Sequence, residues 1–122
     1  MQSHSVGLTE DVKDRLHDLI LRKTELDDRT GCWVWVGAWS VHSYGMVHLG
    51  ARLYGAHRLA MAVYAGFDVH SRLEVWHTCN VRACVNPSHL RIGTKSERAR
   101  FFRKLYGPNW RLAARRQHVR AG

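Results

Sequence analysis

Three cysteines and one histidine most constrain what this chain can fold into. Cys79, Cys84 and His89 lie within eleven residues at the spacing Cys-x4-Cys-x4-His, and Cys32 can supply a fourth ligand from upstream. Thiolates and imidazole are preferred zinc ligands, and four of them complete a tetrahedral structural site. The alternative is that the cysteines are merely small buried hydrophobic residues beside a core histidine. A long polar loop is stabilised by a cross-link, however, and gains little from two isolated thiols. The pattern favours a structural Zn²⁺ ion.

The composition places the chain among intracellular folded proteins. It has 122 residues, 45% of them hydrophobic, with five Trp and two Pro, which suits one folded domain and hardly two. No apolar run approaches the roughly 20 residues of a membrane span, and no secretory segment precedes Glu10 and Asp11. Three cysteines are an odd number, which does not suit a disulfide framework. We expect a soluble cytoplasmic protein in a reducing compartment.

Positive charge is concentrated in the second part of the chain. Residues 1–50 carry five Lys/Arg and seven Asp/Glu, residues 51–122 carry fourteen and three, and the net charge of +9 is therefore −2 plus +11. From Arg98 to Arg120 there are eight basic residues and no acid. Such a surface is typical of proteins that neutralise phosphates, although a solubilising tail is the alternative. An anionic membrane is a weaker partner, because the tail has no strong apolar stripe.

Hydrophobic periodicity and turn residues predict an α+β fold with a small antiparallel sheet and flanking helices. The expected elements are a helix over 9–24, a strand over 32–36, a hairpin over 43–49 and 51–54 that continues the same sheet, a helix over 56–64, and strands over 73–77 and 90–92. Thr94 and Glu97 form a capping-box pattern for a last helix, which Gly107-Pro108 ends. The expected domains are a helical segment at 1–30, a main domain at 31–106 and a basic tail at 107–122.

The segment from His77 to Leu90 carries the most specific signal. It reads His77-Thr78-Cys79-Asn80-Val81-Arg82-Ala83-Cys84-Val85-Asn86-Pro87-Ser88-His89-Leu90 and closely resembles the HNH and His-Cys box homing endonucleases, a branch of the His-Me finger nucleases. Further motifs follow the family's order, namely Gly31-Cys32-Trp33-x-Trp35-x-Gly37, Tyr44-Gly45, Ala56-His57-Arg58 and Gly93-Thr94. The resemblance covers about residues 31–100. It implies a zinc-braced ββα finger over about 72–106.

The resemblance also implies a role for individual residues. His77 would be the general base, whose neutral imidazole takes a proton from the water that attacks the phosphate, with a purely structural histidine as the alternative. Arg58 resembles a basic residue that holds the phosphate, although a solvated helix arginine fits equally well. Asn86 would shape the loop. The family's structural zinc ligands match Cys32, Cys79, Cys84 and His89.

One position departs from the family's pattern. The family places a metal-binding asparagine in the first turn of the last helix, within Gly-Thr-x-x-Glu-Asn, whereas this chain has Arg98 in its place, after Glu97. Arginine has no lone pair for Mg²⁺ or another divalent cation. Three interpretations are open: Glu97 binds the ion after a shift of the helix start, Arg98 stabilises charge on the phosphate itself, or the domain binds DNA without cleaving it. The presence of His77 favours cleavage.

The favoured function is a DNA endonuclease of the homing or phage HNH type, acting on host or phage double-stranded DNA. The alternative is a catalytically impaired or inactive DNA-binding module, and a zinc-braced protein-interaction adaptor would have to explain the charge asymmetry. A homodimer on a near-palindromic site is compatible with the resemblance, although no dimer seam is evident. The residues expected to contact DNA, with a solvated face as the alternative for the tail, are Arg82, Arg91, Lys95, Arg100, Arg103, Lys104, Arg111, Arg115 and Arg116.

Overall fold

The structure is a computed structural model that describes residues 8–112, so Arg115 and Arg116 of the expected basic tail lie outside the described residues. Its elements in chain order are α1 (Glu10–Arg22), β1 (Thr24–Asp27), β2 (Cys32–Trp35), β3 (Met46–Leu49), β4 (Arg52–Gly55), α2 (Ala56–Ala65), β5 (Glu74–His77), β6 (Leu90–Gly93) and α3 (Lys95–Tyr106). A short 3-10 helix, Pro87–His89, precedes β6. The α+β class is confirmed. Within 8–112 no helix has the length and apolar character needed to cross a membrane.

The strands form three separate antiparallel pairs, β1 with β2, β3 with β4, and β5 with β6. The expectation that the hairpin after β2 continues the same sheet is therefore wrong. The chain turns around the Trp35 indole instead, because a Cβ atom built on Gly37 or Gly45 would lie 2.8 or 2.6 Å from that ring. Both glycines are thus required by close packing, and this packing separates the second pair of strands from the first.

Strand β1 was not expected from the sequence. Its four residues, Thr24 to Asp27, are mostly polar, but they pair with β2 in a register that places Asp27 opposite Cys32. A strand of this length and polarity lacks the apolar alternation from which strands are recognised. Its backbone pairing fixes the position of Cys32 at the start of β2.

The helices begin and end at the residues that their capping chemistry indicates. The Thr9 side chain accepts a hydrogen bond from the backbone N–H of Val12 at the start of α1, with an N–O distance of 3.2 Å. Helix α2 ends at Gly66, whose φ of 71° is the left-handed conformation that glycine adopts without strain. At the start of α3, Thr94 and Glu97 form the expected capping box. This box fixes the first turn that carries Arg98.

The main hydrophobic core joins α1 and α2 to the strands. Leu16 and Ile20 of α1 are almost completely buried, as are Trp35 of β2 and Leu59 of α2. A smaller aromatic cluster holds α3 on β5, through Trp76, Phe102 and Trp110. The ββα finger formed by β5, β6 and α3 therefore packs around an aromatic cluster of its own, which positions α3 beside the end of β5.

Candidate active site and metal centre

Cys32, Cys79, Cys84 and His89 come together in the structure. Their four ligand atoms all lie within 4.8 Å of one another, and His89 Nδ1 is 3.5 Å from Cys32 Sγ and 3.6 Å from Cys84 Sγ. A tetrahedral ion with ligands at about 2.0–2.3 Å separates its ligand atoms by roughly 3.3–3.8 Å. The cluster can therefore hold a metal ion, and its three thiols and one imidazole fit zinc.

Local hydrogen bonds explain why the loop brings these ligands together. The Asn86 side chain accepts a hydrogen bond from the Ser88 backbone N–H at 2.9 Å and so caps the 3-10 helix that presents His89. Its amide nitrogen also donates to the Gly31 carbonyl at 2.7 Å. Asn86 thereby connects the loop to the residue that precedes Cys32, across 55 positions of sequence.

The three thiols shift one another's pKa values. The hydrogen bond from Cys84, together with smaller contributions, lowers the pKa of Cys79 to about 5. The pKa of Cys84 is raised, chiefly because its proton is shared with Cys79 and because it is buried. Burial also raises the pKa of Cys32. Since zinc binds thiolates, an ion must displace the protons that Cys32 and Cys84 retain.

His77 is the last residue of β5, and 6% of its surface is exposed. Its Nε2 lies 2.9 Å from the Cys84 carbonyl oxygen. A carbonyl only accepts hydrogen bonds, so Nε2 carries the proton of the neutral ring and Nδ1 carries the lone pair. Burial lowers the pKa of His77 to about 4, with Arg82 and His89 contributing and the Cys84 carbonyl opposing. The imidazole is therefore neutral near pH 7, with Nδ1 available to accept a proton.

Two further rings pack against His77. The ring centroids of His57 and His77 are 5.0 Å apart, and Tyr44 stacks on both, at 5.2 Å from His57 and 5.8 Å from His77. The Nδ1 atom of His57 is buried and has no hydrogen-bond partner among residues 8–112. Burial, with the charges of His77 and Arg58, lowers the pKa of His57 to about 3. The sequence predicted no role for His57, although it directly precedes Arg58 in a motif that the resemblance uses.

A cavity of about 270 Å³ opens beside His77. Its lining includes three arginines and a single glutamate, so its charge is predominantly positive. Among the described residues, the side chains that line it are Tyr44, His57, Arg58, Glu74, Val75, Trp76, His77, Asn80, Arg82, Arg98 and Phe102. The cavity thus presents a neutral histidine and several guanidinium groups to the same volume, which suits an anionic ligand.

Arg82 and Arg98 are held in this cavity by aromatic rings. The guanidinium carbon of Arg82 lies 5.0 Å from the centroid of Tyr44. That of Arg98 lies 5.3 Å from the centroid of Phe102 and 5.8 Å from the centroid of Trp110. These distances are typical of cation–π contacts, which orient a guanidinium. Arg82 also donates one long hydrogen bond, of 3.4 Å, to the His42 carbonyl, and its other N–H groups remain for a ligand.

Residues 54–100 match a protein-family model described as HNH endonuclease. This part of the chain belongs to the HNH endonuclease family. Protein 2.8 of Escherichia phage T7 is 34% identical to the chain over 85 residues, which are 67% of this chain and 55% of that protein. The chain therefore spans about half the length of this curated relative. No solved structure is significantly similar to it.

The HNH match contains most of the candidate site but not all of it. It includes His77, Arg98 and three members of the cysteine–histidine cluster. Cys32 lies upstream of the matched residues, and so does Tyr44. The matched region is therefore completed by one member of the cysteine–histidine cluster and one ring of the cavity from the preceding part of the chain.

The contacts of Arg58 match neither a residue that holds the phosphate nor a solvated helix arginine, the two interpretations that the sequence left open. Its guanidinium donates hydrogen bonds to the carbonyls of Val69, Ser71 and Leu73, with N–O distances of 3.2, 3.0 and 2.9 Å. It also lies over the Phe67 ring, 4.8 Å from its centroid. It is thus not a solvated helix arginine, and these bonds use donors that a phosphate would need. The geometry favours a structural role, in which Arg58 holds the segment that leads into β5.

The expectation that Glu97 completes a metal site beside His77 does not fit the geometry. Its carboxylate accepts a hydrogen bond from the Thr94 backbone N–H at 2.7 Å, and this capping interaction lowers its pKa. Glu97 lines a different groove, while the cavity at His77 contains Glu74 as its carboxylate. Among the described residues, one group of three or more His, Cys, Asp or Glu residues is placed to hold an ion, and it consists of Cys32, Cys79, Cys84 and His89, here called the Cys32 cluster. The cavity beside His77 therefore combines a single carboxylate with three arginines, and this charge does not suit a divalent cation.

The basic residues that the sequence assigns to DNA contact are divided among several surfaces. Arg82 lies in the His77 cavity, while Arg91, Arg100 and Lys104 line a second groove of about 320 Å³ beside Phe101. The side chains of Lys95 and Arg103 are exposed on α3. Arg111 lies over Trp110, with 4.6 Å between its guanidinium carbon and the ring centroid. Helix α3 thus has basic residues on the surface that flanks the cavity.

Proposed function

We propose that the chain is a DNA endonuclease that hydrolyses phosphodiester bonds with His77 as the general base. The observation that carries this proposal is the hydrogen bond between His77 Nε2 and the Cys84 carbonyl, because it leaves Nδ1 as the basic nitrogen of a neutral ring beside a cationic cavity. Nδ1 takes a proton from a water molecule as that water attacks the scissile phosphorus. Membership of the HNH family supports this assignment.

The Cys32 cluster has a structural role in this proposal. Cys32, Cys79, Cys84 and His89 would hold a zinc ion, which when bound cross-links the loop to β2. Because Cys84 provides the carbonyl that His77 contacts, this cross-link also fixes the hydrogen bond that selects the His77 tautomer. The ion would thus act on catalysis only through the position of His77.

A DNA-binding module without cleavage is the second candidate, and Arg98 is the observation that favours it. Arg98 occupies the position at which the family has a metal-binding asparagine, and the cavity does not fit a divalent cation. Such a module would keep the basic surface of α3 and bind double-stranded DNA through its phosphates.

Plasmid nicking distinguishes these candidates. Zinc-loaded protein is expected to convert supercoiled plasmid to nicked circles, and His77→Ala should slow this by about 10²–10⁴-fold, the usual contribution of a general base. His48→Ala is the matched control, since His48 is exposed on β3. Protein that shifts DNA in a gel but leaves the plasmid intact with or without Mg²⁺ or Mn²⁺ would favour the binding module. DNA binding that is insensitive to salt would instead favour a protein-interaction adaptor.

A further inference from the structure

We propose that Arg98 and Arg82 form a phosphate clamp that takes the place of a divalent cation, so that this HNH domain cleaves DNA without Mg²⁺. This inference rests on the proposed endonuclease function. The family has a metal-binding asparagine where this chain has Arg98, and the cavity beside His77 combines three arginines with one carboxylate. A site of that charge repels a divalent cation and attracts a phosphate.

The lone carboxylate of the cavity does not neutralise the clamp. Glu74 interacts with Arg58, whose charged form it favours. The ion pairs found among residues 8–112 join Lys13 to Glu10 and Arg15 to Asp11, both within α1. Neither Arg82 nor Arg98 pairs with a carboxylate in that part of the chain, so their positive charges remain available to a ligand.

Both guanidinium groups are held in place before a ligand arrives. Arg98 is held against Phe102 and Trp110, whose rings stack with 5.7 Å between centroids and 11° between planes. Arg82 is held over Tyr44, which itself stacks on His77. The general base and the two charges therefore line one cavity, each held by the aromatic rings beside it. A preorganised charge of this kind stabilises a transition state without a cost in reorganisation.

The reaction balances with the groups that the cavity provides. Water attacks phosphorus, its proton passes to His77 Nδ1, and the bond between phosphorus and the 3′ oxygen breaks. The 3′ oxygen leaves with the electron pair and takes a proton from solvent, while His77 returns its proton to solvent. Arg82 and Arg98 stabilise the negative charge that builds up on the non-bridging oxygens. The products are a 5′-phosphate and a 3′-hydroxyl.

The test is plasmid nicking by the full-length, zinc-loaded chain in buffer freed of other divalent cations, with zinc content measured before and after. The wild type should nick at the same rate without Mg²⁺ and with millimolar Mg²⁺. Arg98→Gln should reduce the nicking rate by about 10²–10³-fold, as the loss of one oxyanion donor does. Arg98→Lys should nick faster than Arg98→Gln but more slowly than the wild type, because lysine keeps the charge without the planar guanidinium. Arg22→Ala is the matched control, because Arg22 is exposed at the end of α1.

Two results would overturn the clamp and leave the endonuclease proposal standing. One is a wild type that nicks only when Mg²⁺ is added. The other is full activity in Arg98→Gln, with thermal unfolding and zinc content unchanged to show that the variant is folded. If only Arg98→Asn with Mg²⁺ is active, Arg98 blocks cleavage instead of supporting it. A wild type that nicks under no condition contradicts both proposals.

Discussion

At the scale of single residues, the cavity is lined by polar rings that are buried in the protein. His57 is one example, because its Nδ1 is buried without a partner while its ring packs against Tyr44 and His77. An unpaired buried polar atom costs about 1–3 kcal/mol of stability. His57 therefore stabilises the fold less than an apolar ring of the same shape would.

His57→Phe should raise the free energy of unfolding by about 1 kcal/mol near pH 7, because it removes the unpaired nitrogen. Burial lowers the pKa of folded His57 to about 3 from 6.5, so between these pH values the unfolded chain binds more protons than the folded one. The wild type consequently loses stability as the pH falls through this window. The advantage of the variant should therefore grow from pH 6.5 towards pH 3.

Denaturant unfolding of both proteins across this pH range measures the effect. His57 faces Tyr44, His77 and Arg58, and these residues and the metal cluster are retained in the variant. His48→Phe, on the exposed face of β3, is the control. A stability difference that stays constant between pH 6.5 and 3 would show that His57 is not buried in its neutral form.

At the scale of elements, the first turn of α3 decides which side chains reach the cavity. The Thr94 hydroxyl accepts a hydrogen bond from the Glu97 backbone N–H at 3.1 Å, and the Glu97 carboxylate accepts one from the Thr94 backbone N–H. This turn places Arg98 towards the cavity and Glu97 towards the second groove. The capping box therefore selects a guanidinium, and not a carboxylate, for the site.

Thr94→Ala should lower the free energy of unfolding by about 1 kcal/mol, the usual cost of losing an N-cap side chain. Glu97→Gln should cost less and leave nicking unchanged, because an amide oxygen can still accept from the Thr94 N–H. Urea unfolding and the plasmid assay measure the two effects, with the exposed neighbour Ser96→Ala as control. A folded Glu97→Gln protein without activity would instead make Glu97 a metal ligand.

The elements also show what could be predicted from the sequence. Local patterns of residue type and spacing were sufficient for the capping box of α3 and for Cys79, Cys84 and His89, whereas Cys32 was assigned as the remaining cysteine and by the family resemblance. The division into three sheets could not be predicted, because it follows from the packing of Gly37 and Gly45 on Trp35. Strand β1 could not be predicted either, because its polar residues lack the apolar alternation of a strand. The position of Arg58 depends likewise on the path of residues 69–73, which periodicity does not specify.

At the scale of the whole molecule, the metal cluster joins two parts of the chain. Cys32 lies on β2, whereas the other three ligands lie between β5 and β6, inside the HNH match. The isolated bridge between Val34 and Cys84 and the hydrogen bond from Asn86 to Gly31 support the same junction. Loss of the ion should therefore loosen the attachment of the loop to β2 and disturb the carbonyl that contacts His77.

Removal of zinc with a chelator should lower the melting temperature by at least about 10 °C, since each kcal/mol lost shifts Tm by roughly 4–8 °C in domains of about 60–100 residues and by roughly 2–4 °C in domains of about 150–250 residues. Zinc should restore the original value, and Cys32→Ser should reproduce the loss without chelator. Thermal unfolding followed by circular dichroism, with metal analysis of each sample, measures this. An unchanged Tm in a fully metal-free sample would show that the cluster does not stabilise the fold.

In the proposed reaction, His77 activates water for hydrolysis of a DNA phosphodiester bond. The most direct test of this claim is whether DNA ligase can reseal plasmid nicked by the zinc-loaded protein, because water attack with a departing 3′ oxygen leaves a 5′-phosphate and a 3′-hydroxyl. We predict resealable nicks from the wild type and almost none from His77→Ala at equal zinc content. Plasmid that stays supercoiled, or nicking at the wild-type rate by His77→Ala, would contradict the claim.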